Sequence, residues 1–370
     1  MRYYIISGEQ SGDIHGANLI SSLRKIDRKA HFRAWGGRNI KETGVEIVKD
    51  IEELAFMGFW EILINIRTIV KNFKLCKRDI NKYQPDALIL IDYPGFNLRI
   101  AKWAKKNNYR VFYYISPQVW AWKESRVKQI KKNIEKLFVI LPFEKEFYHR
   151  KHGFDVEYVG HPLLDYISQF KKDVHFFKRN KIPIDKPIIA LLPGSRRQEI
   201  KKILPIYISV AKKNPQWTFI VARVSFIPIE FYEILCRDYP IRIVEGATYD
   251  LLQNARAAIV TSGTATLETG LFRIPQVVCY KTSWFSYRLA RLFINIKYIS
   301  LVNLILNESF ITELIQSQCN SITVNHELQK IVDSREKEYF EKGYRSLCKL
   351  LDQSGASDKT ARLINDAFKN

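Results

Sequence analysis

The sequence predicts an α/β protein made of two Rossmann-like, doubly wound domains that face a cleft. Three observations carry this. Short apolar runs of β type each lead into turn residues and then a helical pattern. That alternation pauses once, over the polar, charged and Pro-bearing stretch 168–187, and then restarts. A chain of 370 residues is long for one domain, and its 46% hydrophobic content is enough to fill two cores.

In the first half RYYIIS leads to GEQSGD, and DALILID leads to YPGFN. RVFYYISP leads to a Trp-rich turn and the basic ESRVKQIKK, and KLFVILP leads to FEKEFYHRKHG. In the second half PIIALLP leads to GSRRQEIKK, WTFIVAR follows a helix, and IRIVEG precedes TYDLLQNA. AAIVTS then leads to GTATLETG, and PQVVCYK follows. We expect a first domain over 1–169, a second over 170–344, and a helical tail over 345–370. Strands alternating with helices form parallel sheets, whose ligands sit at the C-terminal strand ends, where these loops lie. Two such domains suit an enzyme that joins two substrates, one held by each half.

Lys and Arg number 59 against 38 Asp and Glu, a net charge of +21. Such a balance points to an anionic partner (nucleic acid, a membrane surface or phosphorylated substrates) or to a solvated basic surface. No RNP-like, helix-turn-helix or zinc pattern accompanies the charge, so no nucleic acid is expected as a partner. The five cysteines, Cys76, Cys236, Cys279, Cys319 and Cys348, are scattered without a C-x-x-C pair. Neither a metal site nor a disulfide framework is expected, and a reducing, cytoplasmic compartment fits. MRYYIISGE is too short an apolar run for a secretory leader, and no stretch reaches the ~18 apolar residues of a spanning helix. The expected protein is soluble or lies on a membrane without crossing it.

Four loops carry candidate chemistry. SGEQSGDIHG spaces Gly8, Gly12 and Gly16 four apart, which matches neither G-x-G-x-x-G nor a P-loop. Its polar candidates are Glu9 and Ser11, with Gly12 keeping the backbone close to a ligand. LLPGSRRQEI reads as strand, Gly194 turn and helix start. Ser195 can cap that helix and Arg196 offers a donor fork to a diphosphate, or the segment is a plain turn with a surface Arg. VTSGTATLETG repeats the design with Ser262, Gly263, Thr264, Ala265 and Thr266 around a helix start, and with Glu268 one turn on, placed to accept from ribose hydroxyls. The alternative is simple N-capping, with Glu268 completing a capping box. LILIDYPGFN ends a strand on Asp92, which either serves as a general base or caps the following turn. No D-x-D pair occurs, so a metal-bridged diphosphate is not expected.

The segment 59–79 is amphipathic at helical period. Phe59, Ile62, Leu63, Ile66, Ile69, Val70 and Phe73 lie on one side, beside a stripe of Arg67, Lys71, Lys74 and Arg78. Such a helix either meets a membrane surface or packs on its own sheet with a solvated cationic flank. The Trp pair of SPQVWAWKESR is either a contact to sugar or acyl chain or a hydrophobic turn anchor. The seven histidines are isolated, and His161 in GHPLLD reads as structural.

Taken in order, SGEQSGD, ELAFMGFWE, LIDYPGFN, YYISPQVWAW, LPFEKEFY, VGHPLLD, LLPGSR, TSGTATLE and YISLVNLI resemble lipid-A-disaccharide synthases, from about residue 5 to 305. The resemblance implies a GT-B glycosyltransferase without cofactor. It would join UDP-2,3-diacylglucosamine to 2,3-diacylglucosamine 1-phosphate, releasing UDP and giving a β-1′,6 disaccharide on the path to lipid A. It implies Asp92 as essential carboxylate, Arg196 as donor-phosphate arginine, TSGTATLE as the UDP loop and Asn303 beside the nucleotide. It further implies a hydrophobic patch near 59–75 on the cytoplasmic face of the inner membrane. The final helix would return to the first domain, and homodimers occur in the family. Gln10 and Val302 depart from the family pattern. Another UDP-sugar enzyme of this fold, a 2-epimerase, is the alternative.

Overall fold

The computed structural model describes residues 1–51, 66–284, 287–288, 296–351 and 355–369. The chain divides into two compact units, Met1–Asp165 with Gln353–Asn370, and Tyr166–Asp352. The first boundary thus falls at 165/166 rather than 169/170, and the returning segment starts at 353 rather than 345. Asp165 explains the first shift. Its carboxylate accepts from the backbone N–H of Gly355 and, at 3.2 Å, of Ser357, capping the returning helix Ala356–Asp366. The next residue, Tyr166, stacks edge-on against Tyr249 in the other unit's core. Helix Lys337–Leu350 stays with the second unit because Tyr344 is buried there and donates to Ile274 O at 2.8 Å.

Among the described residues the first unit holds seven strands: β1 (Arg2–Ser7), β2 (His31–Gly36), β3 (Glu46–Asp50), β4 (Ala87–Ile91), β5 (Val111–Tyr114), β6 (Lys136–Val139) and β7 (Glu157–Tyr158). They pair in the order β3-β2-β1-β4-β5-β6-β7, all parallel. The second unit holds β8 (Ile188–Leu192), β9 (Thr218–Arg223), β10 (Arg242–Glu245), β11 (Ala257–Thr261), β12 (Gln276–Tyr280) and β13 (Glu313–Ile315). Their order is β10-β9-β8-β11-β12-β13, again all parallel.

Helices cover both sheet faces, which is why ALILI, IIALL and AAIVT read as unbroken apolar runs and are buried throughout. In the first sheet Tyr4, Ile6, Leu88 and Leu90 pack to one side with Cys76, Ile80 and Phe96. Tyr3, Ile5, Ile89 and Ile91 pack to the other with Leu19, Ile20 and Leu23 of helix Gln10–Ile26 and with Ala361 and Ile364 of the returning helix. The register Ile5↔Ile89 and Ile6↔Leu90 is the one that keeps both sets inside, since a slip of one residue would exchange the faces.

Strand order reverses between β1 and β4 in one sheet and between β8 and β11 in the other. At such reversals the loops leave to opposite sides and open a crevice at the strand ends. The loops that follow β1, β4, β8 and β11 are SGEQSGD, DYPGFN, PGSRRQ and TSGTATLE.

Candidate active site

In the first unit the β1 and β4 loops interlock. A Cβ on Gly8 would lie 2.3 Å from the Tyr93 ring, so Gly8 makes room for that side chain. The space beside Gly12 is taken by Ser7 Oγ, at 2.6 Å from where its Cβ would stand. Both glycines therefore make room for side chains of the protein itself. Glu9 and Ser11 are exposed at the start of helix Gln10–Ile26, with Glu9 at the N-cap in extended conformation. Asp13 is a polar residue of this loop without a motif signal in the sequence. It is buried and accepts from Gly37 N (2.6 Å), Asn39 N (2.8 Å), Asn39 Nδ2 (2.9 Å) and Ile40 N (3.2 Å), fixing the loop after β2.

Asp92 sits where β4 ends. Both it and Tyr93 have left-handed backbone, φ 44° and 49°. Two consecutive non-glycine residues there cost roughly 1–3 kcal/mol each and persist only where neighbours hold them. The holders are identifiable. The Asp92 carbonyl accepts from Asn97 Nδ2 at 2.7 Å and from Tyr113 OH at 2.5 Å. Asn97, fully buried, also donates to Ile91 O at 3.1 Å. Asn97 belongs to the DYPGFN motif, whereas no local sequence signal marks Tyr113 for this role. The Asp92 carboxyl is pushed up to about 7, first by burial and then by the charge of Glu9, against a lowering by the Tyr93 N–H. A carboxyl poised near neutrality can take a proton at physiological pH.

Glu144, from LPFEKEFY, is a fully buried acid within electrostatic reach of Asp92. Burial pushes it up to about 7, opposed by the N–H groups of Leu141 and Ile140 and by Trp120. It accepts from Leu141 N (2.9 Å), Ile140 N (3.2 Å) and Trp120 Nε1 (3.2 Å), so it caps helix Pro142–His152 and pins the Trp120 loop. His161 is buried, accepts from Leu163 N at 3.2 Å, and is pushed down to about 3, mainly by burial.

In the second unit the β8 loop turns at Gly194, φ 103°. The N-cap of helix Arg197–Lys212 is Arg196, in extended conformation, and no side chain caps it. Ser195 therefore stands one residue ahead of the capping position expected for it. The Arg196 side chain is 68% exposed and ion-pairs with Glu199 at 3.2 Å. The β11 loop turns at Gly263, φ 153°, the uncapped N-cap of helix Thr264–Leu271. Among the described residues nothing lies within 4 Å of the Gly263 Cβ position, and they leave the backbone there open to a ligand. Ser262 Oγ donates to Ile299 O at 2.9 Å, and Thr266 Oγ1 turns back to Gly263 O at 2.8 Å. Thr264 is exposed and Ala265 half-buried. Glu268 makes no capping box. It accepts from Tyr249 OH at 2.8 Å, and burial raises its pKa.

Asn303 is fully buried and its side chain is consumed within the chain. Oδ1 accepts from Phe310 N (3.0 Å) and Ile311 N (2.9 Å), while Nδ2 donates to Ile311 O (2.8 Å) and Glu313 (2.9 Å). Glu313 also accepts from the N–H groups of Ile299 and Ser300, both at 2.9 Å. The network thus holds the segment to which Ser262 is tied.

Of the amphipathic segment, Phe59, Ile62 and Leu63 lie outside the described residues, and Ile66 opens helix Ile66–Tyr83. Ile69 is half-buried, whereas Val70, expected on the apolar side, is exposed at the edge of that face. Phe73 stacks on Phe96 with centroids 4.4 Å apart, and Arg67, Lys71, Lys74 and Arg78 are exposed. The helix is anchored by Asp79, which accepts from Tyr4 OH at 2.8 Å and pairs with Arg33 at 2.8 Å. Over these residues, packing on the sheet with a solvated cationic flank is what the structure contains.

The family model for lipid-A-disaccharide synthetase matches residues 3–367. The chain belongs to that family. Its similarity to the lipid-A-disaccharide synthase of Syntrophus aciditrophicus is 38% identity over 343 residues, 89% of this chain and 87% of the relative. The Coxiella burnetii enzyme of that name (strain CbuK_Q154) is 34% identical over 371 residues, 98% of this chain and 97% of its own length. Among solved structures, the UDP-GlcNAc 2-epimerase of Neisseria meningitidis matches all of both chains with a TM-score of 0.66 at 13% identity. At that identity the likeness shows the two-domain α/β fold alone. Family membership therefore decides between glycosyltransferase and epimerase, and it makes the chain a hexosyltransferase.

Proposed function

We propose that this family member joins UDP-2,3-diacylglucosamine to 2,3-diacylglucosamine 1-phosphate, releasing UDP and forming the β-1′,6-linked disaccharide of lipid A biosynthesis. The observation that carries the reading is the placement of the four motif loops. Each unit sets its pair side by side at its own strand-order reversal, with the strained, near-neutral Asp92 in one pair.

Inversion of an α-linked donor to a β product calls for one displacement. Asp92 takes the proton of the acceptor 6-hydroxyl as its oxygen bonds to the donor's anomeric carbon. The anomeric C–O bond breaks and its electron pair leaves with UDP. The free N–H groups of the helices starting at Arg197 and Thr264 face that leaving charge together with the Arg196 guanidinium. Glu9 and Ser11 face the sugars. Asn303 acts at one remove, holding the Ser262 loop. Both substrates carry acyl chains, so the enzyme works at the cytoplasmic face of the inner membrane. The exposed basic stripe of helix Ile66–Tyr83 is one contact to it. Among the described residues no helix is long and apolar enough to cross a membrane. A second copy of the chain is the remaining partner, to be read by light scattering.

The deciding experiment incubates the protein with both diacyl sugars and follows UDP and product by mass spectrometry. Turnover needs both substrates. Chemistry on the UDP-sugar alone would favour the epimerase reading instead.

A further inference from the structure

The SPQVWAW loop after β5 treats its two indoles differently. Trp120 is tied inward: its Nε1 donates to Glu144, and its ring meets Phe143 edge-on at 4.9 Å. Trp122, two residues on, is 42% exposed. Lys123 Nζ lies 4.5 Å and Arg126 Cζ 5.3 Å from its ring centroid. Lys123 itself has left-handed backbone, φ 54°. The following helix, Arg126–Asn133, buries Val127 and Ile130 and carries four cations and no acid. The acid between Lys123 and Arg126 in sequence, Glu124, is already engaged by Lys151 (2.8 Å) and His152 (3.0 Å). Among the described residues no acid pairs with Lys123, Arg126, Lys128 or Lys132. A braced loop thus displays an indole flanked by unneutralised cations.

We propose that Trp122, with Lys123, Arg126, Lys128 and Lys132, is a docking surface for an anionic lipid bilayer, separate from helix Ile66–Tyr83. An indole prefers the interface between hydrocarbon and water, and each basic residue beside it gains from anionic headgroups. Charge complementarity selects the lipid surface over an uncharged or basic partner. Position adds a reason. β5 pairs with β4 through Ile91↔Tyr114, so this loop and Asp92 leave neighbouring strands at the same sheet end. A bilayer contact there leaves acyl chains in lipid while the sugar hydroxyl reaches Asp92. The inference rests on the reading that the substrates are acylated sugars.

The test is flotation of the full chain with phosphatidylcholine vesicles, with and without phosphatidylglycerol, at low and high salt. Wild type is expected to bind the anionic vesicles. Trp122→Ala should weaken that binding roughly tenfold at both salt levels. The double variant Lys123→Gln/Arg126→Gln should weaken it about fivefold per charge at low salt only. Trp122→Phe, which keeps an aromatic ring, should retain most of it. Turnover with detergent-dispersed substrates should stay near wild type in all three. If wild type binds and the variants bind equally well, this surface is overturned while a bilayer contact elsewhere stands. If wild type binds neither vesicle, the membrane reading itself falls. If Trp122→Ala loses turnover in detergent but keeps vesicle binding, Trp122 contacts substrate, and the docking proposal is wrong.

Discussion

Replacing Asp92 with Asn keeps the shape of the side chain and removes its proton exchange. The folded-state value of about 7 stands about three units above the ordinary 3.8. Because the folded value is raised, the stabilisation belongs to the protonated form. It is complete below about pH 4 and is lost as the pH rises through about 7. That rise corresponds to ~4 kcal/mol, and because the residue as a whole is half-exposed at the strand end, solvent screening reduces this to about 1–3 kcal/mol. Asp92→Asn should therefore be more stable than wild type by about that amount at roughly pH 8, and equal to it near pH 4. The same change removes the base and should cost ~10²–10⁴ in turnover while UDP still binds. Wild-type kcat/KM should rise through about pH 7. Thermal unfolding across pH and a UDP-release assay with lipid substrates measure both. A variant that keeps turnover within about tenfold, against the general-base expectation, or whose stability gain does not depend on pH, would refute the reasoning.

Arg196→Ala should weaken UDP binding about tenfold or more and slow turnover; unchanged affinity by calorimetry would remove Arg196 from the site. Asn303→Leu should cost about 3 kcal/mol or more, because Phe310 N, Ile311 N and Glu313 lose their partner in a buried network. Its UDP affinity should recover at low temperature, where the fold persists; a loss that stays despite an intact fold would point to direct contact. Gly8→Ala should displace Tyr93 and cut turnover more than stability, read from kcat against the melting midpoint. His15 and His161 are pushed down to about 4 and about 3 by burial, so the unfolded chain binds more protons below about pH 6.5. Stability should climb with pH across that window, and His161→Gln should flatten the slope in urea titrations.

Much of this was legible in the residues. ALILI, IIALL and AAIVT declared fully buried parallel strands. The glycine-bearing loops after β1, β8 and β11 and the Asp-ended β4 declared the candidate sites, because period and turn chemistry are local properties. Strand order was not local. That β1 lies against β4, bringing SGEQSGD beside DYPGFN, depends on which apolar faces bury together. The same holds for the holders of the site. Asn97 and Tyr113 matter because tertiary packing aims both at one strained carbonyl, and Glu144 because a helix start is buried near Asp92. Ser195 and Glu268 had the right residue types for capping. Backbone geometry gave the first position to Arg196, and Tyr249 claimed the second. Sequence alone therefore determined the elements and the chemistry available at their ends. Only the tertiary structure decided which of those groups are neighbours, and how far burial moves their protons, since desolvation and charge act through space between residues far apart in the chain.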